Sequence, residues 1–272
     1  FIQALKSVQK ELGLNDSQVL IKTNIAEDES CYNAAADLVD AGCKVIFADS
    51  FGHETYMIQA AKEFQDVQFC HATGTKAHTE KIANYHNAFA SIYEGRYLAG
   101  VAAGMKINEM IKSGKITADK AVMGYVGAYN YAEVVSGMTS FFLGARSVCE
   151  SVKMKVSYTN SWFDVAKEKE TALNLINGGC VLISQHADSE GAPKACEEKG
   201  VPNIAYNIST ISMGPNTAII SSKINWAPYF KMIIDAVNNK STIPTDVCGS
   251  LKDGYVDLTE LNTKVAAEGT QA

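Results

Sequence analysis

The sequence predicts an α/β protein built as two doubly wound lobes, each with a parallel sheet covered by helices. Three observations carry this. Strand and helix signals alternate along most of the chain. Short strands such as Val45-Ile46-Phe47 and Val181-Leu182-Ile183 are apolar throughout, as strands covered on both faces must be. The polar stretch "KSGKITADK" (112–120) breaks the alternation into two runs, one on either side of an expected interlobe cleft and hinge.

Taken in order, "FIQALKSVQKELGL" (1–14) has Ile2, Leu5, Val8 and Leu12 on one helical face. Nothing precedes it as a cap, so a first strand is expected upstream of Phe1 in the natural protein. "QVLIKT" (18–23) reads as a strand, and "ESCYNAAADLVDAG" (29–42) as a helix with Ser30 in the capping position and Gly42 as its stop. Strand "KVIFAD" (44–49), helix "ETYMIQAAKEF" (54–64) and strand "VQFCHAT" (67–73) follow. "IANYHNAF" (82–89) is a short strand, and a long helix spans 91–114. Beyond the polar break come strand 120–129, helix 132–148, strand 153–159, helix 164–178, strand 180–185, helix 191–200 and strand 202–207. The expected lobes are 1–117 with about 216–243, and 118–215 with about 244–272.

With 47% apolar residues among 272, the chain can bury a sizeable core. Its 30 acidic and 24 basic residues give a net charge of −6. Lysines are scattered and the densest cluster, "KEKE", neutralises itself, which argues against nucleic acid as a partner. No apolar run approaches the roughly 20 residues of a membrane span. The seven cysteines are odd in number and lack a C-x-x-C, so free, mostly buried thiols are expected and neither a disulfide framework nor a metal site.

In open α/β sheets, ligands bind beyond the carboxyl ends of the strands. Those ends carry Ser50 and Phe51, His71, Tyr129, the run Asn160 to Asp164 with Trp162, His186 and Asp188, and Asn207. Aromatics, amides and carboxylates on such an edge can stack a planar ring and hydrogen-bond its rim. Each residue also has a plainer reading. Asp164 and Asp188 precede helices and fit as N-caps. Trp162 and Phe51 fit as loop packing, and the histidines as ordinary polar loop residues. Their common location is the stronger signal.

Enzymatic signatures are missing. "GYVGAYN" does not have the G-x-G-x-x-G spacing, and no P-loop, G-x-S-x-G or H-E-x-x-H occurs. No catalytic set and no cofactor is therefore expected.

The blocks "VIFADSFGHETYMIQAAKEFQDVQFCHATG", "YEGRYLAGVAAG", "MGYVGAYNYAEVVSGMTSFFLGARSV", "NSWFDVAKEKETALNLINGG", "LISQHADSEGAPKACEEKGV" and "NTAIISSKINWAPYF" resemble the basic membrane protein family of solute-binding lipoproteins. In order and spacing the resemblance covers nearly the whole chain. It implies a type I periplasmic-binding-protein fold, two lobes joined by three crossings that close on a ligand. It implies an extracytoplasmic receptor of an ABC importer, held to the membrane by an N-terminal lipid and read by permease subunits. Studied members bind purine nucleosides or bases. Carried over by position, Trp162 is the aromatic that stacks on the purine, Phe1 its counterpart on the other lobe, and Phe51 a lining residue. Asp188 and Asn207 address ring nitrogens or ribose hydroxyls. Asn207 stands where many nucleoside-binding members have Asp, which weakens the case for a ribose-diol contact there. A metabolite sensor and a sugar receptor on the same fold are the alternatives.

Overall fold

The structure is a computed structural model that describes residues 1–272. In chain order the elements are α1 (Ile2–Glu11), α2 (Ser30–Asp40), β1 (Val45–Ala48), α3 (Glu54–Glu63), β2 (Gln68–Ala72), α4 (Ala77–Glu80), β3 (Tyr85–Ala90) and α5 (Ile92–Lys112). There follow β4 (Val122–Gly127), α6 (Ala132–Val148), β5 (Lys153–Tyr158), α7 (Val165–Asn177), β6 (Leu182–His186), α8 (Gly191–Lys199) and β7 (Asn203–Tyr206). The chain ends with β8 (Ala218–Ile224), α9 (Ala227–Asn238), β9 (Asp246–Gly249) and β10 (Val256–Leu258).

The chain divides into two compact units, Phe1–Ser91 with Asn225–Tyr255, and Ile92–Ile224 with Val256–Ala272. It passes from one to the other at 91/92, 224/225 and 255/256. These crossings differ from the expected ones at 117/118, 215/216 and 243/244. The reason is α5. Its glycines let it lie directly on α6: a Cβ on Gly100 would stand 2.0 Å from the Phe141 carbonyl oxygen, and one on Gly104 2.4 Å from that of Ala145. This contact fixes the whole helix in the second unit, so "KSGKITADK" is an internal turn of that unit.

The first unit holds a four-stranded parallel sheet in the order β1-β2-β3-β9. Phe69, Tyr85, Met57 and Ile46 form its core with small residues of α2 and α3. Helix α1 buries Val8 and packs on α9, as its apolar stripe requires. Two expectations fail here. Residues 19–25 form no strand: β1 ends the sheet, and the run makes no ladder with its outer side. A groove of about 840 Å³ is lined by Leu20 and Ile21 of that run, by Leu5 and Leu14, and by Ile46 of β1. Ser30 does not cap α2; its own N–H is taken by the Asp28 carboxylate at 2.9 Å.

The second unit holds a six-stranded sheet in the order β10-β8-β7-β6-β4-β5, parallel except for β10 against β8. Tyr125, Phe141, Leu182, Ile204 and Met123 fill one face, while Val126, Ile183, Ala192 and Ala195 pack the other. All seven cysteines are free thiols; five are buried, Cys43 is half-buried and Cys248 exposed. No helix is long and apolar enough to cross a membrane.

Candidate ligand-binding site

The carboxyl ends of β4, β5, β6 and β7 in the second unit bring together five of the expected residues. After β4 the chain turns through Tyr129 and Tyr131, whose rings stack at 5.0 Å and 8°. After β5, Asn160 adopts φ +54°, a left-handed conformation that Asn tolerates, and turns the chain into the Trp162 loop. The indole lies 5.0 Å from Tyr129 and 5.9 Å from Tyr131, tilted to both. Trp162 is half-buried, so it is part of an aromatic wall and not an isolated plate. Phe163 beside it is 61% exposed. Asp164 caps α7 as its position suggests, accepting the Lys167 N–H at 3.0 Å, and that bond keeps its carboxyl below the usual range.

The segment after β6 is fastened from several sides. The Asp188 N–H donates to the Trp162 carbonyl at 2.9 Å, which links the aromatic loop to the carboxylate. The Ser189 N–H donates to both oxygens of buried Glu168, 3.2 and 3.1 Å away, and the Asp164 N–H reaches the same carboxylate at 3.1 Å. Burial pushes Glu168 up against these bonds. The Gln185 amide donates to the carbonyls of Ala187 and Ser189. Asn207, at φ +64°, donates from Nδ2 to Asp188 Oδ1 at 3.1 Å. Asp188 itself is open to solvent, yet the protein packed around it raises its carboxyl, with His186 and the Asn207 amide pulling the other way.

His186 is 2% exposed and does not reach the surface. Its Nε2 faces Glu133 Oε1 at 3.2 Å, and its ring packs on Tyr206 at 4.5 Å. Burial works to raise Glu133, but His186 and Arg96 prevail and hold it below the usual carboxylate range. Behind these groups lies Arg96 of α5, 0% exposed, with its guanidinium 4.1 Å above the Tyr206 ring and its Nη1 donating to the Gln185 carbonyl at 2.7 Å. Sequence reasoning missed Arg96, Glu133, Tyr131, Tyr206 and Glu168. A signal existed for Arg96 alone: it is the single charge among the small residues of "RYLAGVAAG".

The first unit carries Ser50, Phe51, His71 and Phe1. Glu27 anchors the turn after β1, taking the Ser50 hydroxyl at 2.6 Å and the Gly52 N–H at 2.8 Å, and leaves Phe51 41% exposed. His71 lies beneath this turn, fully buried, with Nε2 donating to the Ser50 carbonyl at 2.7 Å. Burial lowers it to about 4, so the neutral ring is the resident form. Both histidines therefore support loops instead of presenting themselves to a ligand, because imidazoles on inward-facing strand ends bury their rings to satisfy main-chain carbonyls or a carboxylate. Phe1 stacks on Trp226 at 4.8 Å and touches Phe47 at 5.7 Å. No group of three His, Cys, Asp or Glu side chains is arranged to hold a metal ion.

The sequence profile of the family described as ABC transporter substrate-binding protein PnrA-like (Bmp) matches residues 2–271. A purine-binding protein of Brucella abortus is 33% identical over 275 residues, covering 99% of this chain and 74% of that one. A putative ABC transporter glucose-binding protein of Haloferax volcanii is 32% identical over 224 residues, 82% of this chain and 54% of that one. Among solved structures, an ABC transporter solute-binding protein of Conexibacter woesei superposes with a TM-score of 0.76 at 17% identity, over 99% of this chain and 86% of that one. At that identity the likeness speaks for the fold, which is the two-unit α/β architecture of periplasmic solute-binding proteins. The profile match spans the chain from end to end, and the protein belongs to the PnrA-like family of ABC transporter substrate-binding proteins.

Proposed function

We propose that the chain is the extracytoplasmic receptor of an ABC importer and that its ligand is a purine base or nucleoside. One observation carries the ligand class. An aromatic wall of Trp162, Tyr129 and Tyr131 adjoins a carboxylate–amide pair, Asp188 and Asn207, at one sheet edge. Such a wall stacks a flat heterocycle, and the pair beside it offers one strong acceptor and one amide to the ring's hydrogen-bonding edge. The name of the Brucella relative supports the same class. Ser50, Phe51 and Phe1 of the first unit complete the proposed set of ligand contacts, and permease subunits are the proposed partners. Tethering through an N-terminal lipid belongs to this proposal.

Calorimetry with adenine, hypoxanthine, adenosine, inosine and guanosine tests the reading. At least one should bind, and Trp162→Ala should weaken it about tenfold, since truncating a base-stacking aromatic costs about 1–3 kcal/mol. Because the indole leans on two tyrosines, the variant should also lose some stability in its empty form. The Haloferax relative favours a second reading, a hexose receptor, because pyranoses also stack on indoles. Glucose that binds where no purine does would replace the first reading by the second.

A further inference from the structure

We propose that Arg96 determines which edge of the ligand this site accepts, by holding Asp188 as an acceptor of ligand N–H groups. The inference rests on the purine reading for its ligand, but not for its electrostatics. Arg96 is the largest fully buried side chain of the protein. No carboxylate lies within ion-pair distance of it, and its Nε and Nη2 have no hydrogen-bond partner in the protein. A buried cation without a direct partner is costly to keep, and an apolar chain of similar size would pack at least as well. Its charge is thus not consumed locally and acts on the acidic groups ahead of it.

The surroundings show where that charge acts. The guanidinium sits on the Tyr206 ring, which also packs against the His186 ring, and Tyr206 leads directly into Asn207, the amide that holds Asp188. Nη1 grips the main chain of Gln185, three residues before Asp188. Helix α6 passes close above without a side chain: a Cβ on Gly137 would lie 3.4 Å from His186 Nδ1 and 3.6 Å from Arg96 Nε. The charged and titratable groups around Asp188 are Arg96 from α5, Glu133 from α6, Glu168 from α7, His186 from β6 and Tyr206 from β7. Two carboxylates, Asp188 and Glu133, lie in the field of Arg96, the obligate cation of the cluster. Removing it takes away part of the compensation of both carboxylates, and the exposed one, Asp188, becomes easier to protonate. A protonated Asp188 would present an O–H donor and would turn the site from ligand N–H donors toward ligand acceptors.

Two substitutions separate charge from shape. Arg96→Lys keeps the cation, while Arg96→Gln keeps a donor for the Gln185 carbonyl and removes the charge. In unliganded protein, carbon-13 carboxyl titration, with Asp188 assigned through Asp188→Asn, should show Asp188 titrating at higher pH in R96Q than in wild type, and close to wild type in R96K. Calorimetry of hypoxanthine and adenine from pH 6 to pH 9 should show R96Q about tenfold weaker than wild type at the acid end, as expected when a charge-assisted bond is lost, with recovery toward pH 9. An unchanged Asp188 titration in R96Q, or an equal loss of binding in R96K and R96Q at every pH, overturns the inference. If Asp188 moves as expected but no purine binds to wild type, the ligand reading falls and the role of Arg96 in holding Asp188 stands.

Discussion

His71 makes the first unit acid-sensitive, and the size of the effect follows from its burial. The ring is fully enclosed under the Ser50 turn and is lowered from 6.5 to about 4, with desolvation as the main cause and the Ser50 carbonyl opposing it. A histidine whose folded value lies below its unfolded value takes up its proton more readily in the unfolded chain. Its neutral burial therefore stabilises fully above the unfolded value, and that contribution is lost as the pH falls from about 6.5 toward 4. A gap of about 2.5 units corresponds to about 3 kcal/mol in total, of which about 2 kcal/mol is lost between pH 7 and pH 5. The two tryptophans fall one to each unit, Trp226 in the first and Trp162 in the second. Trp162→Phe thus leaves Trp226 as a fluorescence reporter of the first unit alone. In that background, urea unfolding at pH 7 and pH 5 should lose about 2 kcal/mol more with His71 than with His71→Gln, whose amide can still donate to the Ser50 carbonyl. His86, lowered by burial as well, contributes equally to both proteins and cancels. If the two lose the same stability, the neutral buried ring is not what holds the turn.

Two further perturbations probe the frame behind the site. Glu168→Ala strips the acceptor from the Ser189 and Asp164 N–H groups, and equilibrium unfolding should show a loss of about 2 kcal/mol, the cost of orphaning buried donors; a loss within error of zero would mean that water replaces the carboxylate. Gly100→Ala drives a Cβ to 2.0 Å from the Phe141 carbonyl oxygen, so α5 and α6 must separate, and thermal unfolding should report a loss of about 3 kcal/mol, the upper end for overpacking.

The strand–helix alternation was legible because each parallel strand between helices is short, apolar and bounded by polar turns. The strands after residue 207 were not. β8 reads "AIISSKI", with three of its seven residues polar, and β9 and β10 are four and three residues long, too short for a period to show. "QVLIKT" shows the converse: β propensity specifies an extended chain, but a strand exists only where a neighbour supplies the hydrogen bonds. The unit boundary was hidden because a glycine-to-backbone approach such as Gly100 on Phe141 depends on which helix lies opposite, and composition does not say. For the site, position at a strand end picked out Trp162, Tyr129, Asp188 and Asn207, which the fold gathers along one sheet edge. It could not tell a residue that faces outward from one that turns inward, as His71 and His186 do, and it could not find Arg96, which reaches the site from a helix.

The second-unit wall is braced by the protein's own hydrogen bonds. Asp188 is held through its own N–H to Trp162 and through its carboxylate by Asn207, and the residues on either side of it are tied to Glu168, Gln185 and Arg96. The turns that aim Trp162 and the Asn207 amide use left-handed backbone at Asn160 and Asn207, conformations that cost free energy and persist only where the surroundings enforce them. A ligand meeting such a surface spends little on ordering it, so most of the stacking gain appears as affinity. Stacking discriminates weakly among flat rings, since every purine offers a similar face. Discrimination must then come from the few polar atoms fixed at the rim, where an unmatched donor or acceptor stays unpaired against a rigid partner. In this unit the outward-facing pair at that rim is Asp188 with Asn207, and the charge proposed to tune Asp188, that of Arg96, lies inside the protein. The selectivity of the receptor is therefore expected to respond to substitutions in α5 and α6 that touch no ligand atom.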